Sequence, residues 1–442
     1  MSDSTAQQLR QQIAELVGRY ADLQMAPKPF VAGQSSVPPS GKVIGAGELQ
    51  AMTEAVLDGW LTTGRFNQAF EKRLAEYLGR RCVLTTNSGS SANLLAFSAL
   101  TSPRLGDRAI KPGDEVIGVA AGFPTTVNPI LQCGAVPVFV DVQMGTYNID
   151  PALIEAAIGP KTKAIMLAHT LGNPFDLGVV RSLCDKYGLW LIEDCCDALG
   201  STYEGRMVGT FGDIGTLSFY PAHHITMGEG GAVFTQSPLL KRIMESFRDW
   251  GRDCYCAPGE DNTCGKRFCW QAGDLPQGYD HKYTYSHLGY NLKITDMQAA
   301  CALAQMDRVD AFIAARKRNF AWLSERLAGC ADQLILPQAT PGSDPSWFGY
   351  PITLREDGTG RRVDLVRYLD EQGVGTRQLF AGNLTRQPYM QGRQYRVAGE
   401  LSVTDKVMND TVWVGLWPGL SDDHLEHMAS HIEAWLNRGN HR

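Results

Sequence analysis

From about residue 45 to about residue 300, short apolar and β-branched runs alternate with helical stretches, and this alternation constrains the fold more than any other feature of the chain. The runs are Cys82 to Thr86, Val116 to Ala120, Val136 to Asp141, Ala164 to His169, Leu189 to Asp194, Thr216 to Tyr220 and Ala232 to Thr235. They predict an α/β fold with a mostly parallel sheet covered by helices. Ligands of such sheets sit beyond the carboxyl ends of the strands, so the residues that follow each run are the ones to inspect for chemistry.

On either side of this region the pattern changes. Leu9, Ile13, Leu16, Val17 and Tyr20 recur at helical spacing and predict an amphipathic helix that docks on something. Pro27, Pro29, Pro38 and Pro39, mixed with Gly and Ser up to Lys42, predict an extended arm. Beyond about residue 310, a helix carrying Arg316, Lys317 and Arg318 leads to a strand at Tyr350 to Leu354 and helices at Val363 to Glu371 and His424 to Leu436. The expected division is an arm over 1–44, a large domain over 45–310 and a smaller α+β domain over 311–442. With 442 residues, two or three domains are the natural expectation.

Composition excludes several classes. Hydrophobic residues make up 44% and charged residues 20%, which suits a soluble globular chain and not a disordered one. The formal net charge of −6, with no basic run, argues against nucleic acid as a partner. The first residues lack a secretion signal, and no uncharged apolar run reaches the ~20 residues that a membrane helix needs. A cytoplasmic protein is expected, in which most of the eleven cysteines stay reduced.

Three segments follow strands and carry polar groups. Thr85 to Asn93 is a Ser/Gly-rich strand-to-helix turn, suited to a phosphate at a helix start and equally to plain helix capping. Leu189 to Asp194 ends a strand in a carboxylate, which can hold a heteroaromatic nitrogen protonated, as in the pyridine of pyridoxal phosphate, or cap a helix. The third, Gly212 to Gly231, reads GDIGTLSFYPAHHITMGEGG and is far more distinctive.

With that segment the chain resembles the sugar-aminotransferase-like family of fold type I (aspartate aminotransferase-like) pyridoxal phosphate proteins. The resemblance runs through most of residues 45–440 and includes Gly113 to Ile117, Phe123 to Thr126 and Gly289 to Ala300. It implies phosphate contacts from Gly89, Ser90 and Ser218, a cofactor ring stacked on Phe123, and Asp194 facing the pyridine nitrogen. It also implies that Asn291 reaches the phosphate of a neighbouring subunit, hence a homodimer. Asn173 stands where relatives contact the ring hydroxyl, and Lys293 where relatives commonly have Arg.

One departure decides the expected chemistry. The position of His223 is occupied in family aminotransferases by the lysine that binds the cofactor covalently. An imidazole cannot make that bond, so the cofactor is expected to be held non-covalently as pyridoxamine phosphate. Histidine's ordinary pKa of about 6.5, against about 10.4 for lysine, suits it to act as a base. If it takes a proton from the cofactor methylene after condensation with a sugar ketone, a hydroxyl leaves the neighbouring carbon, which is a dehydration. The adjacent His224 is expected to have a solvated or capping role.

Between about Gly251 and Tyr290 lies a long loop containing Cys254, Cys256, Cys264 and Cys269, and a loop of that length in a compact domain is usually functional. The spacing Cys-x-Cys-x7-Cys is neither that of common zinc sites nor of common ferredoxins, and Cys195 or Cys196 offers a fourth ligand. Here the resemblance narrows to a branch of the family, the CDP-4-keto-6-deoxy-D-glucose 3-dehydrases, which pair the histidine with a [2Fe-2S] cluster. That branch has 57 residues between its first two ligands; 254 − 196 − 1 = 57 selects Cys196, with Cys254, Cys256 and Cys264.

What the resemblance implies is C3 deoxygenation of a nucleotide-linked 4-keto-6-deoxyhexose on a route to 3,6-dideoxysugars of surface polysaccharide. An NAD(P)H-dependent iron–sulfur flavin reductase is the implied partner. Trp347, Phe348, Arg377, Arg386 and Gln387 are candidates for the substrate pocket. Two other readings stand beside this one: a cluster-independent dehydratase acting on a GDP- or dTDP-linked sugar, and a non-catalytic relative whose cysteines bind metal structurally or sense redox state.

Overall fold

The computed structural model describes residues 3–355 and 361–439. Its centre is an eight-stranded sheet. Seven of the strands are β1 (Cys82–Thr86), β2 (Glu115–Val119), β3 (Val136–Val140), β4 (Thr162–Ala168), β5 (Trp190–Asp194), β6 (Ile214–Ser218) and β7 (Gly231–Thr235). They lie in the order β1-β7-β6-β5-β4-β2-β3, and Arg396–Val397 extends the far edge beside β3. All pairings are parallel except those of β7, which runs antiparallel to β1 and β6. Every run expected from the sequence is a strand, within two residues at each end.

The sheet is buried on both faces because its strands are mostly apolar, their polar residues clustering toward the ends. One core packs Ile117, Val138, Ile165 and Leu191 against the helix Arg65–Leu78 and its neighbours. The other packs Val116, Ala164, Ile192 and Val233 under the helices Gly89–Leu100 and Pro238–Arg248. A four-stranded antiparallel sheet built on Gly349–Leu354 and Thr411–Gly415 has a core of its own with the C-terminal helix Asp422–Gly439. The helix Val309–Arg326 joins the two bodies: Val309, Phe312 and Ile313 pack on the first, Leu323 on the second.

Two sequence expectations change in detail. The helix Asp3–Gln24 forms and is pinned by Arg10 to Glu54 and Asp58, yet Leu9, Leu16 and Tyr20 of its apolar stripe stay at least half exposed. The proline-rich arm does not run free. Val37 is wholly buried, pairs with Val374, and lies beside Trp417, whose indole N–H donates to the Pro38 carbonyl at 3.1 Å. No helix among the described residues is long and apolar enough to cross a membrane.

Candidate active site and thiol cluster

Register brings the site together. Ala168 of β4, Asp194 of β5 and Thr216 of β6 are cross-strand neighbours, so β4 and β5 end at one level while β6 runs two residues further, to Ser218. Beyond those ends lies a cavity of about 770 Å³ whose walls include Gly89, Ser90, Phe123, Asp194, Ser218 and His223. The cofactor and catalytic residues expected from the sequence are therefore in one place, except Asn291 and Asn173.

At the end of β1, Ser88 caps the helix Gly89–Leu100 by accepting a 3.0 Å bond from the Ser91 amide. That occupies one amide of the first turn, while those of Gly89 and Ser90 have no acceptor within the helix. Capping and anion binding thus coexist in this turn. Gly89 is required on steric grounds: a Cβ there would stand 2.4 Å from Ser218 Cβ and 3.1 Å from Cys196 Sγ.

Asp194 is buried and does not cap a helix. Its Oδ2 accepts from Asn93 Nδ2 at 2.7 Å and Thr126 Oγ1 at 2.8 Å, and its Oδ1 accepts from the Cys196 amide at 3.1 Å. Thr216 Oγ1 in turn donates to Asn93 Oδ1 at 2.7 Å. The carboxylate is held rigidly and retains lone pairs for one more donor on its cavity side. Phe123 is half exposed, with its edge toward Phe380 at 6.2 Å, which leaves a ring face open for stacking.

His223 lies in the loop after β6. Its Nδ1 is 3.2 Å from Asp197 Oδ1, close enough for an ion pair although the angle is poor for a hydrogen bond, and its ring sits 5.3 Å from that of Phe348. His224 is structural: it is buried, Nε2 meets the Ser346 carbonyl and hydroxyl at 2.9 Å, and burial, with the charge of Arg316, pushes its pKa well below the ordinary value.

Other expected residues fall outside the cavity. Asn291 is exposed, and its Oδ1 accepts from Lys293 Nζ at 3.0 Å; that ammonium rests 3.5 Å over the Trp250 ring. Asn173 does not line the cavity, and its amide is committed to the backbone of Thr146, Gln338 and Thr340. Among the C-terminal candidates, Phe348 and Arg377 line the cavity. Trp347 instead stacks on Phe320, Arg386 pairs with Asp405, and Gln387 bonds the Ala381 carbonyl.

All eleven cysteines are free. Cys254, Cys256 and Cys264 surround one small cavity, shared with Asp261, Asn262, Arg267, His281 and Lys282. Thr263 Oγ1 donates to Cys256 Sγ at 3.0 Å; burial opposes ionisation there, but the bonds from Thr263 and the backbone outweigh it and bring the thiol pKa down. His281 is almost wholly buried, with Nδ1 3.7 Å from Cys264 Sγ and Nε2 3.0 Å from Asp253 Oδ2. Cys196 is placed elsewhere. It lines the larger cavity at the strand ends, where burial, with Asp194 beside it, pushes its thiol well up. Cys195 is buried within 4.8 Å of the His169–Glu193 pair, and Cys269 is exposed.

Four residues the sequence reading passed over also matter. His169 and Asp197 line the cavity and stand just after β4 and β5, where the strand-end rule points. His169 Nε2 is held by Glu193 at 3.1 Å. Arg316 and His281 carry no local signal, because their importance lies in burial, which spacing does not reveal.

Three known proteins share this framework. The chain is 70% identical to the lipopolysaccharide biosynthesis protein RfbH of Salmonella typhimurium over 432 residues, 98% of this chain and 99% of that one. It is 53% identical to the dTDP-4-dehydro-2,6-dideoxy-D-glucose 3-dehydratase of Saccharopolyspora spinosa, over 92% of this chain and 88% of the other. The structure matches that of the E. coli GDP-4-keto-6-deoxy-D-mannose 3-dehydratase with bound hydrated PLP at a TM-score of 0.81 and 25% identity, covering 90% of this chain and 99% of that one. The architecture is therefore fold type I. Residues 42–433 match the DegT/DnrJ/EryC1/StrS aminotransferase family, and the chain belongs to that family.

Proposed function

We propose that the protein removes the C3 hydroxyl of a nucleotide-linked 4-keto-6-deoxyhexose with pyridoxamine phosphate as cofactor, the CDP-linked glucose derivative being the expected substrate. The observation that carries this reading is His223, an imidazole on the cavity wall at the position where family aminotransferases have their lysine. The dehydratase relatives and the role of RfbH in lipopolysaccharide biosynthesis point the same way.

The cavity suits the cofactor, since it offers a steric cradle at Gly89, an open aromatic face at Phe123 and a buried carboxylate at Asp194. Once bound, pyridoxamine phosphate supplies an amine that condenses with the sugar ketone and a pyridine ring that accepts electrons. The amides of Gly89 and Ser90 with Ser218 Oγ would bind its phosphate, and Asp194 would hold the proton on its ring nitrogen. Asp197 beside Nδ1 favours the tautomer protonated there, so Nε2 of His223 is the atom that takes the proton. Arg377 at the cavity mouth is suited to the nucleotide diphosphate. The active unit is a homodimer in which Asn291 serves the partner's cofactor.

Cys254, Cys256 and Cys264, which line one small cavity, would take three of the four ligand places of a [2Fe-2S] cluster, a centre that would supply single electrons delivered by an NAD(P)H-dependent reductase. Cys196 is the fourth ligand that the spacing selects. Its position in the other cavity favours a second reading, a dehydratase that works without a cluster. Iron analysis of anaerobically purified protein separates the two.

The test of the main reading is product analysis with CDP-, dTDP- and GDP-linked keto-sugars on protein loaded with pyridoxamine phosphate. His223→Asn is expected to lower dehydration by about 10²-fold or more, the contribution of a positioned base, with cofactor affinity kept. Turnover near that of the unaltered protein would refute the role of His223.

A further inference from the structure

Arg316 is the bulkiest wholly buried side chain in the described structure. Arginines that deep normally sit against a carboxylate, and here none of the described acids pairs with it. Burial pulls the guanidinium down to about 10, still charged at neutral pH, with the charge of Asp197 working in the opposite direction.

The partners of Arg316 are backbone carbonyls. Nη1 donates to the carbonyls of Phe348 at 3.0 Å and Trp347 at 3.4 Å, and Nη2 to those of Ala222 at 3.2 Å and His223 at 3.5 Å. The fork therefore joins two irregular segments, one carrying His223 and the other Phe348, and both side chains line the cofactor cavity. His224 ties the same two segments through Ser346. The loop from Tyr220 to Gly230 has no helix or strand of its own; Thr226 and Glu229 are tied to Gln305 and Gln298, and these cross-ties are what hold the part carrying His223 against the segment of Phe348. A lysine ammonium reaches no such spread of acceptors from one position, because its donors radiate from a single atom.

We propose that Arg316 is a positioning residue for His223: by fixing the carbonyls of residues 222–223 against those of 347–348, it sets where the imidazole stands over the cavity. This rests on the reading of His223 as the base. The geometry demands the planar fork, not merely a buried charge.

The experiment compares Arg316→Lys and Arg316→Gln with the unaltered holoenzyme and His223→Asn. Expected are a kcat lower by about 10²-fold, the usual effect of a shift near 1 Å at a reacting group, and little change in KM or in the affinity for pyridoxamine phosphate. Amide hydrogen exchange should rise in peptides covering 219–227 and 345–349 and nowhere else. If Arg316→Gln does not fold, the Lys variant carries the test. Normal kcat and exchange in Arg316→Lys overturn the proposal. So does a loss of kcat accompanied by weaker cofactor binding and faster exchange throughout, which marks a purely structural arginine. If His223→Asn itself turns over normally, it is the reading of His223 that fails.

Discussion

Gly89 shows how much a single missing methyl can decide. Its neighbours Ser218 and Cys196 leave no space for a Cβ, and the same turn offers the amides assigned to the phosphate. Gly89→Ala is expected to push β6 away from the helix start, raising the dissociation constant for pyridoxamine phosphate at least tenfold and costing about 1 to 3 kcal/mol of stability, as overpacking usually does. Fluorescence titration and denaturant unfolding check both numbers. Unchanged affinity would remove the phosphate from this turn. Asp194→Asn is a gentler probe, because it keeps the shape but loses an acceptor for the Asn93 and Thr126 donors and the charge that would face the ring nitrogen. The expected result is retained folding, judged by circular dichroism, with dehydration reduced by about 10²-fold. Asp194 and His223 were legible in the sequence because a motif fixes them relative to strand ends. Asn173 entered through the resemblance alone, and a position matched in a motif does not say which way its amide turns; here it turns to backbone groups.

At the scale of elements, the strands were readable since each is a short, mostly apolar and β-branched run set between helical stretches. The cysteine loop was readable only as a loop. Spacing counts residues along the chain, so it can nominate Cys196 without saying which cavity its thiol enters, and it gives no hint that His281 folds in beside Cys264. What holds the loop closed is its neck. The amide of Trp250 donates to the Tyr290 carbonyl, that of Ser286 to Gly251, and that of Asp253 to Thr284, while His287 bridges the hydroxyls of Ser102 and Ser246. Gly251 lies at the crossing with φ of +80°, where a Cβ would fall 1.8 Å from the His287 carbonyl oxygen. Gly251→Ala should therefore open the neck at a cost of about 2 kcal/mol or more. Limited proteolysis is expected to cut first within 252–288, and iron retained after anaerobic reconstitution should fall. A variant as resistant and as iron-rich as the original would show that the crossing does not organise the thiols.

On the scale of the whole molecule, the cavity is deep but its own chain leaves it incomplete in the proposed scheme. Asn291, assigned to a phosphate, lies outside the cavity on an exposed stretch next to Leu288, which is 93% exposed. The apolar stripe of the N-terminal helix also stays open, with Leu16 and Tyr20 more than half exposed. Both facts suit a twofold assembly in which each copy lends residues to the other. The sequence pattern predicted that the stripe docks on something, but nothing in one chain's periodicity tells an intramolecular partner from a second copy. Mixed dimers distinguish them. Asn291→Ala and His223→Asn are each expected to be nearly inactive alone. In a dimer containing one of each, the site with an intact His223 belongs to the Asn291→Ala chain and receives Asn291 from its partner. Random reassortment makes about half of the dimers mixed, each with one complete site of two, so activity should return to about a quarter of that of the original protein. If Asn291 served its own chain, every site in the mixture would lack one of the two residues, and mixing would restore nothing.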